Sequence, residues 1–447
     1  MSEEIPGFYV TPGFAAGARA VAAAPATRVR YQVLGFVVAA YMITYLDRIL
    51  LSAAEPFIEK EFGFSTITMG WVLFCYSIAY AAFQIPGGWL GDKVGPRIAM
   101  AGVVVWWSVF TAITSLSWSA ASMGVCLFLI GMGEAGAFPI ANRALLRWML
   151  PSERGFSQGS THAGSRLGGA IAPMLVVTLI TAYSWRAPFL IFAAVGIVWA
   201  LLWYRFYRNS PAEHPKVNEA ERDRIAGALG LGRGRRKVPW GQILSNPQMW
   251  LLSAMYFCYG YDIGVFLSWF PKYLNAARGL DLKQMGFYAS LPLLAGLVGD
   301  ITGGLTSDLL LKRTGNAKFS RRIVSMLGFG LAALSVSLAA WVDDPMVSIG
   351  WFCLAVFGLE LTVGVSWAVT LDIGGEFAGS VSAVMNTLGN IGVAVAVALT
   401  SYLATNLGWG YAFGVIAALA CVAALLTLTV DASRRLYKDA PMAEDQA

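Results

Sequence analysis

A charged pair interrupts a long apolar stretch near the start of the chain. Asp47 and Arg48 lie midway in residues 31–58, which otherwise read as an apolar helix. A charged side chain at the centre of a membrane costs at least ~2.5 kcal/mol, so such residues face protein or a water-filled cavity. The arginine guanidinium is permanently charged and matches a carboxylate through two parallel hydrogen bonds. The pair therefore indicates an anion-binding site within a membrane.

Two tyrosines on the same stretch accompany the arginine at helical spacing. In an α-helix, residues three or four positions apart lie on one face. Tyr41 and Tyr45 therefore share a face with Arg48, whereas Asp47 points about 100° away. We predict that Arg48, Tyr45 and Tyr41 bind substrate. The alternative is a structural arginine that is permanently paired with Asp47.

A side chain that carries protons must change its protonation state in the working pH range. Burial in an apolar environment favours the neutral form of a carboxyl group. Asp47 and Glu134 both lie in apolar segments, so we predict that they carry protons. A hydrogen bond from Glu134 to helix backbone is the structural alternative. His162, with an ordinary pKa of ~6.5, either relays protons or serves as a plain hydrogen-bonding residue.

A second arginine stands in an apolar stretch that reads GSTHAGSRLGGAIAP. Arg166 follows His162 by four residues, so the two side chains share one helix face. We predict that Arg166 is a second carboxylate clamp or the partner of Glu134. The alternative is an arginine whose side chain extends to a membrane interface.

The second half of the chain offers polar groups suited to a hydroxylated substrate. Asn386 and Asn390 are one helical turn apart and carry both donors and acceptors. Trp367 offers an amphipathic wall. We predict that all three bind substrate, with helix packing as the alternative for the asparagines. Three more acids in apolar segments, expected to titrate, to form salt bridges or to link helices, are Asp262, Asp300 and Glu360.

Membrane-spanning helices must position these residues. The 447 residues are 57% hydrophobic and 13% charged, with a mean hydropathy of +0.61, whereas about a quarter of the residues in a soluble domain are charged. Segments with the ~20 apolar residues that cross a membrane recur along the chain, and we identify twelve. The sequence therefore predicts an all-α membrane protein with twelve transmembrane helices.

A polar linker and a repeated motif divide the twelve helices into two sets of six. GWLGDKVGPR and GLTSDLLLKR place Asp92 and Asp308 216 residues apart, at matching positions. Two pseudo-symmetric halves with a binding site between them, near the membrane centre, are typical of transporters. The expected divisions are an N-terminal tail at 1–30, six-helix halves at 31–207 and 248–430, a linker at 208–247 and a C-terminal tail at 431–447.

The distribution of basic residues predicts the orientation. Of the 32 lysines and arginines, 25 lie in the tails, the linker and the loops on their side of the membrane. Cytoplasmic loops carry such an excess, so both termini are expected in the cytoplasm. The net charge of +6 then requires no nucleic-acid partner. We expect a monomer in the cell's inner membrane, with no cofactor and no metal.

Several motifs resemble those of a known transporter family. Three stretches, YLDRILLSAAEPFI, GMGEAGAFPIANRALLRWMLPSERG and NTLGNIG, are similar to motifs of the anion:cation symporter family, and the resemblance covers residues 31–430. A GxLxDxxGxR pattern resembles the signature of the major facilitator superfamily, to which those symporters belong. It is carried by Gly88, Leu90, Asp92, Gly95 and Arg97.

The resemblance implies the major facilitator fold and a carrier that imports organic anions with protons by alternating access. Aldonates, aldarates and hexuronates are the expected substrates. It also implies proton coupling by Asp47 and Glu134, both at acidic positions of the family motifs. A conformational role is implied for the signature residues, and Asp308 is their counterpart in the second half.

One position departs from the family pattern. An arginine commonly stands seven residues before the acid at Glu134, but here that residue is Leu127. We hypothesise that Arg166 supplies this missing cation from the next helix. Other readings remain open: sodium coupling, an aromatic or dicarboxylic substrate, or a sensor with the carrier fold. An enzyme is not expected, because no nucleophile motif, metal-ligand cluster or nucleotide-binding loop is visible.

Overall fold

The computed structural model describes residues 25–64, 66–229, 238–280 and 282–437. Most of the predicted tails and the basic end of the linker therefore lie outside the described residues. Single 3-10 turns occur at Pro151–Glu153, Pro211–Glu213 and Gly375–Phe377. The α-helices of the described residues, numbered α1 to α16 in chain order, are Val29–Phe62, Thr66–Val94, Pro96–Thr114, Ala120–Glu134, Ala137–Trp148, Arg154–Ala182, Arg186–Phe206, Glu219–Leu229, Trp240–Ser245, Pro247–Ser268, Phe270–Ala276, Leu282–Thr314, Ala317–Trp341, Pro345–Gly374, Ala378–Asn406 and Trp409–Thr427.

Twelve helical segments of the described chain have the length to cross a membrane. Ten apolar runs of 19 residues or more meet this requirement, and one of them, Pro345–Asn406, contains both α14 and α15. Helix α2, with 29 residues, completes the set. Another run, Ala120–Trp148, is made of α4 and α5 together. The predicted all-α fold with twelve membrane-spanning helices is confirmed.

Short polar or glycine-containing turns end one helix and start the next. Gly95 has a φ of +89°, a left-handed conformation that favours glycine, and it separates α2 from Pro96 at the first position of α3. Before α14, the Asp344 side chain accepts hydrogen bonds from two backbone N–H groups of the first turn, and Pro345 follows it. These turns allow long helices to run antiparallel with little loop between them.

The two halves repeat the same packing. In the first half, α1 packs on α6, α2 on α4 and α3 on α7. In the second, the matching pairs are α10 on α15, α12 on α14 and α13 on α16. Between the halves, α6 packs on α12 and α2 on α15, which are also matching pairs. The observed packing is therefore pseudo-symmetric.

Glycines bring the two halves into backbone contact. A Cβ atom on Gly88 would lie 2.5 Å from the carbonyl oxygen of Gly379, so α2 and α15 touch there without side chains. A Cβ on Gly155 would lie 2.6 Å from the carbonyl oxygen of Gly304, which joins α6 to α12 in the same way. Small residues at such contacts allow membrane helices to approach closely.

Polar contacts cross between the halves on the side of the membrane that carries linker helix α8, here called the linker side. Asp92 of α2 accepts a 2.8 Å hydrogen bond from the backbone N–H of Ser380. Asp308 of α12 accepts a 2.7 Å bond from the backbone N–H of Phe156. The repeated motif thus links each half to the other. Arg97 stays within its half and donates to the Tyr204 carbonyl at 3.0 Å.

On the opposite side, a described ion pair joins helices of one half only. Arg186 lies 2.7 Å from Glu61, and Trp185 donates to the same carboxylate at 2.6 Å. These hydrogen bonds hold the pKa of Glu61 below its usual range. The contrast with the crossing contacts around Asp92 and Asp308 indicates a state in which the halves are closed together at the linker side.

Candidate functional site

A cavity of about 170 Å³ lies between the two halves. Helices α1, α2, α5 and α6 line it from the first half, and α10, α14 and α15 from the second. Of the residues predicted to act, seven line it and three, Tyr41, Asp47 and Glu134, do not. The lining residues are Tyr45, Arg48, Tyr80, Phe138, His162, Arg166, Tyr256, Tyr259, Gly260, Ile263, Leu267, Trp367, Asn386, Gly389, Asn390 and Val393.

Arg48 projects from α1 into this cavity. Its guanidinium carbon lies 4.3 Å from the ring centre of Tyr80 and 5.3 Å from that of Tyr45. Its Nε and one terminal nitrogen are buried without a hydrogen-bond partner among the described residues, although 24% of the side chain is exposed. Aromatic faces stabilise a cation without occupying its N–H groups. The guanidinium therefore retains donors for an anion.

Glu134 lies directly behind Arg48. One of its carboxylate oxygens is 3.5 Å from Arg48 Nε and accepts a 2.6 Å hydrogen bond from the Tyr76 hydroxyl. Its other oxygen is buried and has no partner among the described residues. Protonation of Glu134 would therefore change the electrostatic environment of Arg48 directly.

Asp47 faces away from the cavity, as its helical position predicts. It is 4% exposed and accepts a 3.1 Å hydrogen bond from the indole N–H of Trp107 on α3. Its carboxyl group interacts electrostatically with that of Glu134. Within the described residues Arg48 pairs with Glu134 and not with Asp47. The structural alternative of a permanent Asp47–Arg48 pair is therefore not formed in this state.

Arg166 has a different environment at the same cavity. It hydrogen-bonds to Glu360 of α14 and, at 3.1 Å, to the Tyr259 hydroxyl of α10. Its Nε lies 3.7 Å from a carboxylate oxygen of Asp300 on α12. All three partners belong to the second half. The sequence hypothesis that Arg166 pairs with Glu134 is not met, because Glu134 pairs with Arg48.

His162 and Tyr41 pack together on the wall of the cavity. The His162 ring lies 5.4 Å from the Trp367 ring and 5.6 Å from the Tyr41 ring, between centres. Its Nε2 is buried with no hydrogen-bond partner among the described residues. Tyr41 is fully buried behind Phe138, with ring centres 4.2 Å apart, so it supports the wall without lining it.

The second half contributes an indole and two amides. Trp367 donates to the Tyr256 hydroxyl at 2.7 Å, which fixes the indole ring. Asn386 donates to Gln84 of α2 at 2.8 Å and so connects the halves, while Asn390 donates to the Asn386 backbone carbonyl at 2.8 Å. The amide N–H groups are thus engaged. Among the described residues no donor reaches their side-chain oxygens, which are free to accept from a substrate hydroxyl.

Four aromatic residues of the cavity were missed in the sequence. Tyr80, Phe138, Tyr256 and Tyr259 surround the two arginines. Aromatic residues in apolar helices are usual in membrane proteins, so they carried no signal by themselves. Tyrosines gather near the membrane interfaces, so a position near the centre of a helix was the sign that could have identified Tyr80, Tyr256 and Tyr259.

Known proteins resemble the chain over most of its length. A family model described as Major Facilitator Superfamily matches residues 37–397 and 316–444. The chain is 38% identical to a probable sulfoacetate transporter of Cupriavidus necator, over 90% of this chain and 94% of the relative. It is 31% identical to the hexuronate transporter of Bacillus subtilis, with 84% and 88% covered.

More distant proteins extend these similarities. A D-galactonate transporter of Escherichia coli is 28% identical over 91% of this chain and 96% of the relative. Among solved structures, the fucose:proton symporter FucP of Escherichia coli matches with a TM-score of 0.70 and 14% identity, over 90% of this chain and all of the other. At that identity the match supports the fold alone.

Proposed function

Because this chain belongs to the major facilitator superfamily, it is a multi-pass membrane transporter, and we propose that it imports a small hydroxylated organic anion together with protons. An aldonate, an aldarate or a hexuronate fits the proposal. Relatives named for hexuronate, galactonate and sulfoacetate all carry small organic anions, which supports this class of substrate.

The state of Arg48 carries the proposal. It is a permanent cation that lines the cavity, and two of its buried nitrogens have no hydrogen-bond partner among the described residues. A buried donor without a partner costs about 1–3 kcal/mol. A substrate carboxylate removes that cost and forms charge-assisted hydrogen bonds, so the cavity favours an anion at this position.

Glu134 is the proposed switch for this binding. When ionised, it forms an ion pair with Arg48 and competes with the substrate carboxylate for the guanidinium. When it binds a proton, the guanidinium becomes available to the substrate. Asp47 lies on the face of α1 that contacts α3 and interacts electrostatically with Glu134. We propose that its charge sets the pH at which Glu134 binds the proton. Substrate and proton would therefore load together.

The remaining predicted residues orient the substrate. Tyr45 lies beside Arg48, and the side-chain oxygens of Asn386 and Asn390 accept from hydroxyl groups. Trp367 forms a wall that Tyr41 and Phe138 support from behind. The second carboxylate clamp at Arg166 requires that Glu360 release the guanidinium first. His162 also lines the cavity, its Nε2 has no partner among the described residues, and we propose that it relays protons.

Alternating access follows from the crossing contacts. We place the linker side in the cytoplasm, with both termini there, because most lysines and arginines lie on that side. In the closed state described here, the cavity would then load from outside the cell, across the inner membrane. Opening toward the cytoplasm requires the contacts of Asp92 with Ser380 and of Asp308 with Phe156 to break. A single chain holds every residue of this cycle, so a monomer suffices.

The test is uptake into proteoliposomes that contain the purified protein. A radiolabelled aldonate, aldarate or hexuronate is supplied with an imposed pH gradient, a sodium gradient or neither. We expect accumulation driven by an acidic exterior and unaffected by sodium. Accumulation that follows sodium and ignores pH would contradict proton coupling, and the absence of uptake across a panel that includes aromatic and dicarboxylic acids would contradict the substrate class.

A second candidate substrate is a short sulfonated carboxylate. It is favoured by the relative with 38% identity, a probable sulfoacetate transporter, and by the modest cavity of about 170 Å³. Competition distinguishes the two candidates. If sulfoacetate inhibits uptake of a labelled aldonate at far lower concentration than unlabelled aldonate does, the sulfonate is the preferred substrate.

A further inference from the structure

Three charged side chains meet where the two halves touch beside the cavity. Arg166 comes from α6 of the first half, and Asp300 and Glu360 come from α12 and α14 of the second. Both acids are fully buried. The Glu360 side chain lies along α12, where a Cβ on Gly296 would come within 2.9 Å of it. We call these three residues the cluster, and its two carboxyl residues, Asp300 and Glu360, the acid pair.

The charges of this cluster do not balance. Two carboxylates face one guanidinium, so the cluster carries one excess negative charge when all three residues are ionised. An uncompensated charge in the membrane interior is costly. One bound proton would restore neutrality.

The hydrogen-bond pattern of the cluster also indicates one bound proton. Glu360 accepts from Arg166 and, at 3.1 Å, from the Tyr259 hydroxyl. Both carboxyl oxygens of Asp300 are buried and accept no hydrogen bond from the described residues. The two carboxyl groups interact directly with each other. Two ionised carboxylates cannot hydrogen-bond, whereas a proton on one of them allows it to donate to the other.

Among the described residues, no second cation forms an ion pair with Asp300 or Glu360 that would neutralise the excess negative charge. Helix α6 presents Arg166 and His162, and the His162 ring packs against Trp367 and Tyr41 and forms no ion pair with either acid among the described residues. The other titratable groups facing the cluster are tyrosines. Taken over every helix packed around it, the facing groups are Tyr45 of α1, His162 and Arg166 of α6, Tyr256 and Tyr259 of α10, Asp300 of α12 and Glu360 of α14.

We propose that Asp300 and Glu360 hold one transported proton between them, in a second proton-binding site that Arg166 completes from the other half. This inference rests on the proposed proton coupling and adds a site separate from Glu134. When the proton leaves to water, the acid pair carries two negative charges and attracts Arg166 more strongly. When it binds, the attraction weakens and the halves can separate there. The proton thereby couples to the movement of the halves.

The test measures the proton-to-substrate ratio in proteoliposomes. A substrate gradient is set against a pH gradient with the membrane potential clamped at zero, and the ratio follows from the pH difference at which net flux stops. We expect Asp300→Asn and Glu360→Gln each to transport one proton fewer per substrate than the wild type. Exchange of labelled for unlabelled substrate should persist in both. Glu61→Gln, an exposed carboxyl that pairs with Arg186 on the side opposite the linker, is the control and should keep the wild-type ratio.

Two outcomes would overturn the proposal. One is an unchanged ratio in both variants, which would make the proton structural. The other is loss of exchange in both variants although they purify as folded protein, which would make the cluster a purely structural link. Failure of the proposed function has a different signature, because the wild type itself would then show no net flux in response to the pH gradient, whereas failure of this inference leaves the wild type coupled and only the variants unaltered.

Discussion

The two arginines of the cavity differ in what surrounds them. Arg48 has one carboxylate partner, at 3.5 Å, with the rest of its guanidinium against aromatic rings and 24% of its side chain exposed. Arg166 is 10% exposed and lies between two carboxylates and a tyrosine hydroxyl. The same residue type at the same cavity therefore pairs with one carboxylate in one place and with two in the other, where it also makes hydrogen bonds.

This difference gives the surroundings of the two arginines opposite electrostatic character. Arg48 with protonated Glu134 is a net cation and attracts an anion. Arg166 with its two acids is net negative until a proton binds and repels an anion until then. A carrier that moves an anion with protons requires both kinds of environment in one cavity. We therefore propose that the anion binds mainly to the first half and that a further proton binds at the contact between the halves.

The largest expected effect comes from removing the available arginine. Arg48→Ala should lower uptake at least about 100-fold, because two charge-assisted hydrogen bonds of about 1.5–3 kcal/mol each are lost. Uptake of labelled substrate into proteoliposomes measures this effect. Arg186→Ala is the control: this arginine is exposed, pairs with Glu61 on the opposite side and should leave uptake nearly unchanged.

Neutralising the acid behind Arg48 should separate binding from coupling. Glu134→Gln keeps the size of the side chain and cannot release a proton. We expect exchange to continue, while accumulation against a gradient loses the tenfold per pH unit, about 1.4 kcal/mol, that each coupled proton provides. Parallel exchange and accumulation assays decide the outcome. Full accumulation by this variant would exclude Glu134 from coupling.

A smaller effect is expected on the side of the second half. Asn386→Ala removes an acceptor for substrate hydroxyls and the 2.8 Å bond to Gln84. The KM should rise about 3- to 10-fold for a hydroxylated acid, as expected for one hydrogen bond of about 0.5–1.5 kcal/mol. Asn406→Ala is the control, because this residue lies on the same helix and donates to the Tyr402 carbonyl one turn earlier. An equal rise for a substrate without hydroxyl groups would show a structural cause.

The smallest effect concerns the wall. Trp367→Phe keeps an aromatic ring and removes the 2.7 Å hydrogen bond to Tyr256. We expect a change of about threefold in KM, since one neutral hydrogen bond is lost. Tyr256→Phe breaks the same bond from the other partner and should change KM by a similar amount. A much larger effect of either variant alone would mean that its polar atom touches the substrate.

The sequence predicted the fold because its signals are local and strong. Apolar stretches of membrane length and a repeated motif are visible without any knowledge of contacts. The placement of Arg48 and of Asp47 on different faces was also predictable, because it depends only on helical spacing. Tyr41 shares the face of Arg48 yet lies behind Phe138, since a neighbouring helix covers it, and spacing within one helix cannot reveal such cover.

The partners of Arg166 could not be predicted for the same reason. Asp300 and Glu360 are 134 and 194 residues away in the chain and meet it only when the halves close. The sequence identified all three as unusual charges in apolar segments. Only the packing of α6 on α12 and α14 shows that they form one cluster. Glu134 pairs with Arg48 instead.

The most direct test of the account is equilibrium binding of the transported anion to purified Arg48→Lys in detergent, measured by calorimetry beside the wild type. Lysine keeps the positive charge and loses the planar fork that pairs with a carboxylate. The account predicts at least a tenfold weaker affinity, on the order of 1.4 kcal/mol, with the folded protein otherwise unchanged. Wild-type affinity and wild-type uptake in this variant would contradict the claim that the guanidinium of Arg48 receives the substrate.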